Sequence, residues 1–142
     1  MNKKYIESIV RALIIKEGKI LLCENKSSGH FFLPGGHVEF GESFKKALAR
    51  EIKEELGISG IVEDVVGVLE NTFQDEGVSH HEVNVIFIVS LPTAEVISQE
   101  SHIAFRWIEL VDLLGVNLLP QKLPSLLSKW LKDRETFFES TF

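Results

Sequence analysis

Three glutamates, Glu51, Glu54 and Glu55, fall within one segment, Ser43 to Leu56, that reads as a helix. Each residue of an idealised helix turns by roughly 100°. With Phe44 at zero, the three acids lie near ~340°, ~280° and ~20°, so one sector carries three carboxylates. Ala47, near ~300° and one turn earlier, adds little bulk and leaves space above them. Left alone, such a face is unfavourable. Like charges at i,i+4, here Glu51 and Glu55, cost a few tenths of a kcal/mol in water. They cost more beside the apolar stripe of Leu48, Ile52 and Leu56, where the dielectric falls. A divalent cation reverses the sign, because Mg²⁺ and Mn²⁺ take oxygen ligands from carboxylates and from substrate phosphates. The competing reading is a solvated charged face, the usual meaning of an acidic run. Against it stands Leu33-Pro34-Gly35-Gly36, which delivers flexible backbone and free carbonyls just ahead of the acids.

The elements that must position these groups follow from punctuation and period. Ser43 suits an N-cap and Gly57 a C′ residue, with no proline or glycine between. Phe44, Leu48, Ile52 and Leu56 form one stripe at helical spacing. Ser8 to Cys23 reads as a β-hairpin turning at Lys16-Glu17-Gly18-Lys19. Ile61 to Phe73, Glu82 to Leu91 and Ile103 to Ile108 read as strands, and Gln74 to His81 as a polar loop. The second of these strands is apolar on both faces, which predicts a central strand. Leu123 to Phe137 reads as a last helix. Strands, helix, strands and helix in that order predict one α/β domain over residues 1–142, with a mixed sheet between helices.

Composition narrows the function. The 142 residues carry 15 Lys+Arg against 21 Asp+Glu, a formal charge of −6. That balance argues against long nucleic acid as a partner. It does not exclude a phosphate substrate bridged by a metal ion. Cys23 is the only cysteine, which fits a reducing compartment and a cytoplasmic location. Charges at Lys3, Lys4, Glu7 and Arg11 break any signal-peptide apolar block, and Val83 to Ala94 is too short to cross a bilayer.

Gly36-His37-Val38-Glu39-Phe40-Gly41-Glu42-Ser43 has the spacing of a phosphate-binding P-loop, with Glu42 where the lysine belongs. A carboxylate there repels phosphate, so that reading fails. The wider pattern, Gly36-x5-Glu42-x7-Arg50-Glu51-Ile52-x-Glu54-Glu55-x-Gly57-Ile58, resembles the complete signature of the Nudix (MutT-like) hydrolases. It fixes nine positions over 23 residues. Phe32 to Gly36 before it and the β segments after it extend the likeness over most of the chain.

The resemblance implies the Nudix fold and Mg²⁺- or Mn²⁺-dependent hydrolysis of a nucleoside diphosphate linked to another moiety. It implies Glu51, Glu54 and Glu55 as metal ligands, helped by a carbonyl of Gly35 or Gly36. Arg50 would orient the acids, Glu42 would join its ion pairs, and Gly57 would close the helix. Water would attack one phosphorus, with Glu51 the first candidate to take its proton. Glu100, ahead of Glu82 and Glu95, is the candidate for an additional acid. The partner implied is a small nucleotide derivative, and a homodimer is compatible with the family.

Other residues read as structural. His37, His80 and His81 read as solvated, and Cys23 as a core thiol. Phe31, Phe32, Phe73, Phe105 and Trp107 could stack on a base, although aromatics in β runs are mostly core. Two rivals keep the fold: a non-catalytic ligand sensor, and an isoprenyl diphosphate isomerase, which would need a further catalytic cysteine or acid.

Overall fold

Apolar residues on both faces of a strand require cover on both sides, and β1 (Ile6–Leu13) meets that demand. Its Val10 and Ala12 enter one core, and Leu13 enters another on the opposite face. A computed structural model describes residues 4–142; the first three residues of the charged opening segment lie outside the described residues.

Two sheets share the strands. The larger has the order β5 (Gly35–His37), β1, β7 (Val78–Ser90), β6 (Ile61–Asp75) and β9 (Phe137–Ser140). It is mixed: β1 runs parallel to β7 and β9 parallel to β6, while β5 and the β6–β7 pair are antiparallel. The smaller is built on β3 (Lys19–Asn25), which pairs with β2 (Ile15–Lys16), β4 (Phe31–Phe32) and β8 (Ile103–Glu109). Helix α1 (Phe44–Leu56) covers one face of the large sheet, where Leu48 and Ile52 meet Val85, Phe87 and Val89. Helix α2 (Leu123–Asp133) covers the other, packing Leu127 and Trp130 with Leu69 and Ile86. This is the α/β mixed-sheet architecture expected, with β7 central as its two apolar faces require.

Four local expectations are corrected. The segment Ser8 to Cys23 is not one hairpin: the chain leaves the large sheet at Ile14, and only β2 and β3 pair around Glu17-Gly18. Both flanking runs are apolar on each face, and each takes a distant partner: β1 pairs with β7, and β3 pairs with β8. Gln74 to His81 is not a loop. β6 and β7 continue to Asp75 and Val78, joined by Glu76 and Gly77 at φ 47° and 78°. Two positive-φ residues make the tight turn whose twist suits a hairpin. The last helix stops at Asp133 rather than Phe137. Arg134 takes φ 58° there, its guanidinium 4.3 Å from the Trp130 ring centroid, and β9 follows. Finally, Phe44 opens the apolar stripe on the sequence but is 40% exposed.

Candidate active site

Ser43 caps α1 by accepting from the Lys46 amide at 3.2 Å, and Gly57 closes it in the left-handed region at φ 70°. Between the caps the three acids have very different surroundings. Glu54 is 58% exposed at its side chain and Glu51 only 16%. Glu55 is buried at 8% exposure. Ala47 does not open space above them; it is fully buried in the core under α1.

The Gly35-Gly36 segment is a strand, not the flexible loop expected. β5 pairs with β1, placing Gly35 opposite Arg11 and Gly36 opposite Val10. Both glycines are required. Gly35 has φ 147°, and a Cβ there would overlap the Val10 carbonyl oxygen. A Cβ on Gly36 would lie 2.5–2.6 Å from the carboxylate atoms of Glu51. The missing side chains bring the strand backbone onto the acids. The Gly35 amide donates to Glu55 Oε1 at 3.3 Å. Glu55 Oε2 is buried and has no hydrogen-bond partner among the described residues.

Burial, and then the nearby charge of Glu51, push the Glu55 carboxyl up to about 8. Arg11 opposes that shift and Glu100 adds to it, so both lie within electrostatic reach. Glu100 also approaches His102 at 3.4 Å, on a loop tied to α1 by the Gln99 amide on the Glu55 carbonyl at 3.1 Å.

Arg50 frames the cluster with all five of its N–H donors. Nε and Nη2 hold Glu42 at 3.1 and 2.6 Å, and Nη1 holds Glu51 at 2.9 Å and Glu54 at 3.4 Å. Nη2 also donates to the His37 carbonyl at 3.0 Å. Hydrogen bonds from Arg50, and then from the Glu39 amide, hold the Glu42 carboxyl below its ordinary value. His37 and His80 share Glu7 at 2.8 and 2.9 Å, which ties β5 to β1 and β7; these histidines are structural but not simply solvated. His80 also stacks on Phe73.

As the side chains stand, no three His, Cys, Asp or Glu residues among the described residues converge tightly enough to hold an ion. The donor set nevertheless fits a hard divalent cation. Three carboxylates share one helix face, and one presents a buried oxygen that nothing else satisfies. Glu51, Glu54 and Glu55 are the side chains that could hold it.

A cavity of about 830 Å³ opens between the large sheet and the Leu119–Leu123 segment; Arg11 and Leu33 stand on its wall, and none of the three helix acids lines it. Phe32 and Phe73 of the expected aromatics line it, as does Glu82. Phe31, Phe105 and Trp107 pack against the cores instead. Glu95 is exposed. Cys23 is fully buried, which holds its thiol protonated and leaves it no chemistry. Sequence reasoning missed Arg11, Asn84 and Glu7. Only Arg11 carried a signal, as a lone cation in an apolar strand.

Comparison with known proteins identifies the family and the fold. The family model described as the NUDIX domain matches residues 7–133. The chain is 39% identical over 85 residues to an ADP-ribose pyrophosphatase of Methanocaldococcus jannaschii, covering 58% of this chain and 49% of that protein. It thus spans about half the length of that relative. It is 33% identical over 128 residues to a CTP pyrophosphohydrolase of Escherichia coli, covering 87% and 90% of the two chains. The crystal structure of a MutT protein from Methanosarcina mazei superposes with a TM-score of 0.76 at 28% identity, covering 95% of this chain and 99% of that one. No helix among the described residues is long and apolar enough to cross a membrane. An acidic helix capped by Ser43 and Gly57, a glycine pair laid against its carboxylates, and a family match across nearly the whole chain lead to one assignment: the chain belongs to the Nudix family.

Proposed function

We propose that this protein hydrolyses the diphosphate linkage of a nucleoside diphosphate joined to another moiety. Glu51, Glu54 and Glu55, with the Gly36 carbonyl, hold Mg²⁺ or Mn²⁺. The observation that carries the reading is Glu55: a buried carboxyl, one oxygen without a partner among the described residues, within reach of the charge of Glu51. Such a group is costly to keep unless a cation completes it. When bound, the ion offsets charge on the phosphoryl oxygens and lowers the pKa of coordinated water.

The residues of the chain do the rest. Arg50 fixes Glu51 and Glu54 so that neither must reorganise during the reaction. The water oxygen bonds to one phosphorus as the bridging P–O bond breaks, leaving a nucleoside monophosphate and the phosphorylated second moiety. Glu51 accepts the water proton, being half enclosed and adjacent to the strand backbone at Gly36. Glu100 is the additional acid, placed by the loop that docks on the end of α1.

The test is hydrolysis of a panel headed by ADP-ribose and CTP, for which two relatives are named, with Mg²⁺, Mn²⁺ or chelator. Metal-dependent release of monophosphate, abolished in Glu54→Gln and Glu55→Gln, is expected. Undiminished turnover in both variants refutes the site. Nucleotide binding without turnover in any metal would mark a ligand sensor instead.

A further inference from the structure

The two arginines near the acids differ in one respect. Arg50 spends every donor on the frame and faces three carboxylates. Arg11 faces none within ion-pair distance among the described residues. Its Nη1 donates to the Leu33 carbonyl at 3.0 Å and its Nε to Asn84 Oδ1 at 3.4 Å, both neutral acceptors. A guanidinium has five N–H donors, so most of its capacity is unspent. Half-buried on the wall of the 830 Å³ cavity, it makes no ion pair among the described residues, although its charge reaches Glu55.

Its placement links that cavity to the acids. Arg11 is the register partner of Gly35, whose amide reaches Glu55. The side chain cannot wander. Asn84, at 3% exposure, anchors Nε and is itself fixed by donating to the Leu69 carbonyl at 3.4 Å and Glu82 at 3.3 Å. The Phe32 ring lies 5.9 Å from Cζ. The same cavity presents His30 and Phe73, aromatic surfaces suited to a planar ring. Glu82, also on the lining, accepts from Asn84.

The geometry points to Arg11 as the residue that binds the phosphate on the nucleoside side of the substrate directly, holding it between the ring-binding cavity and the acid cluster. This rests on the diphosphate-hydrolase reading and deepens it. A planar fork matches two phosphate oxygens. The contact is independent of the metal, and it makes the nucleoside monophosphate a ligand in its own right. Asn84 acts through Arg11 as a positioning residue.

Calorimetric titration in excess chelator separates this contact from any metal-mediated one. The probes are the four common ribonucleoside 5′-monophosphates and their nucleosides. In the wild type at least one monophosphate should bind roughly 10- to 100-fold more tightly than its nucleoside, the size of a charge-assisted contact. Arg11→Gln should erase that advantage while leaving nucleoside affinity unchanged, and Arg11→Lys, which keeps charge without the fork, should retain only part of it. No advantage in the wild type overturns the proposal, as does an advantage that survives in Arg11→Gln or an equal loss for both probes. If Arg11→Gln does not fold, the wild type decides by NMR: the Arg11 Nε–H signal should move with the monophosphate and not with the nucleoside, and the reverse or no movement overturns it. A wild type that turns over nothing would refute the hydrolase reading and leave this binding result intact.

Discussion

Replacing Glu55 by glutamine isolates the strain at the centre of the site. With its carboxyl pushed from 4.5 up to about 8, the folded state binds a proton that the unfolded chain has already released. The stability this gives the protonated folded form is complete below the ordinary carboxylate range and is lost as pH rises through about 8. Between pH 5 and pH 9 that linkage amounts to on the order of 4 kcal/mol in metal-free protein. For a chain of this size it corresponds to a Tm change of ~10 °C. Glutamine keeps an acceptor for the Gly35 amide but leaves a buried amide unpaired, at a cost of about 1–3 kcal/mol that does not vary with pH. The readout is therefore the pH dependence of the gap between the two proteins. Thermal melts in chelator at pH 5, 7 and 9 should show the wild type losing ground steadily to Glu55→Gln. Saturating Mg²⁺ should restore the wild type, by about 2.7 kcal/mol at one hundred times the dissociation constant, and do little for the variant. A gap that stays constant from pH 5 to pH 9 would refute the reasoning, because Glu55 would then be an ordinary solvated acid.

Arg50→Lys offers one nitrogen where Glu42, Glu51, Glu54 and the His37 carbonyl now share a fork. Turnover should fall at least ~10-fold, while stability drops by only about 1 kcal/mol because the pairs are partly exposed. Steady-state rates and melts check both. Gly36→Ala places a Cβ against the Glu51 carboxylate, so metal-dependent activity should fall at least ~10-fold with a near-normal Tm. Gly35→Ala meets backbone rather than a movable side chain, in a conformation alanine disfavours. Urea unfolding should show a loss of about 2 kcal/mol or more.

The helix and its acids were legible because both signals are local. Caps at Ser43 and Gly57 and a stripe through Leu48, Ile52 and Leu56 specify a helix from fifteen consecutive residues, and the acid sector follows from the turn angle. What failed depended on partners far away in sequence. Gln74, Ser79 and His80 look like loop residues because their strands project beyond the covered part of the sheet, where polar side chains cost nothing. Phe137 continues the spacing of Leu127 and Trp130, yet Arg134 ends the helix and β6 captures the remainder as a parallel strand. Arg11 stood out only as a lone cation in an apolar strand, and its role was not legible. Its meaning comes from Leu33 and Asn84, 22 and 73 residues away, and from a cavity closed by Leu119–Leu123.

Electron paramagnetic resonance of Mn²⁺ during titration with the protein tests the ion site without relying on turnover. The wild type should quench the free-ion signal saturably, and Glu51→Gln, Glu54→Gln and Glu55→Gln should each weaken that binding. Wild-type protein that leaves the Mn²⁺ spectrum unchanged, or three variants that bind as tightly as the wild type, would contradict the assignment of these glutamates.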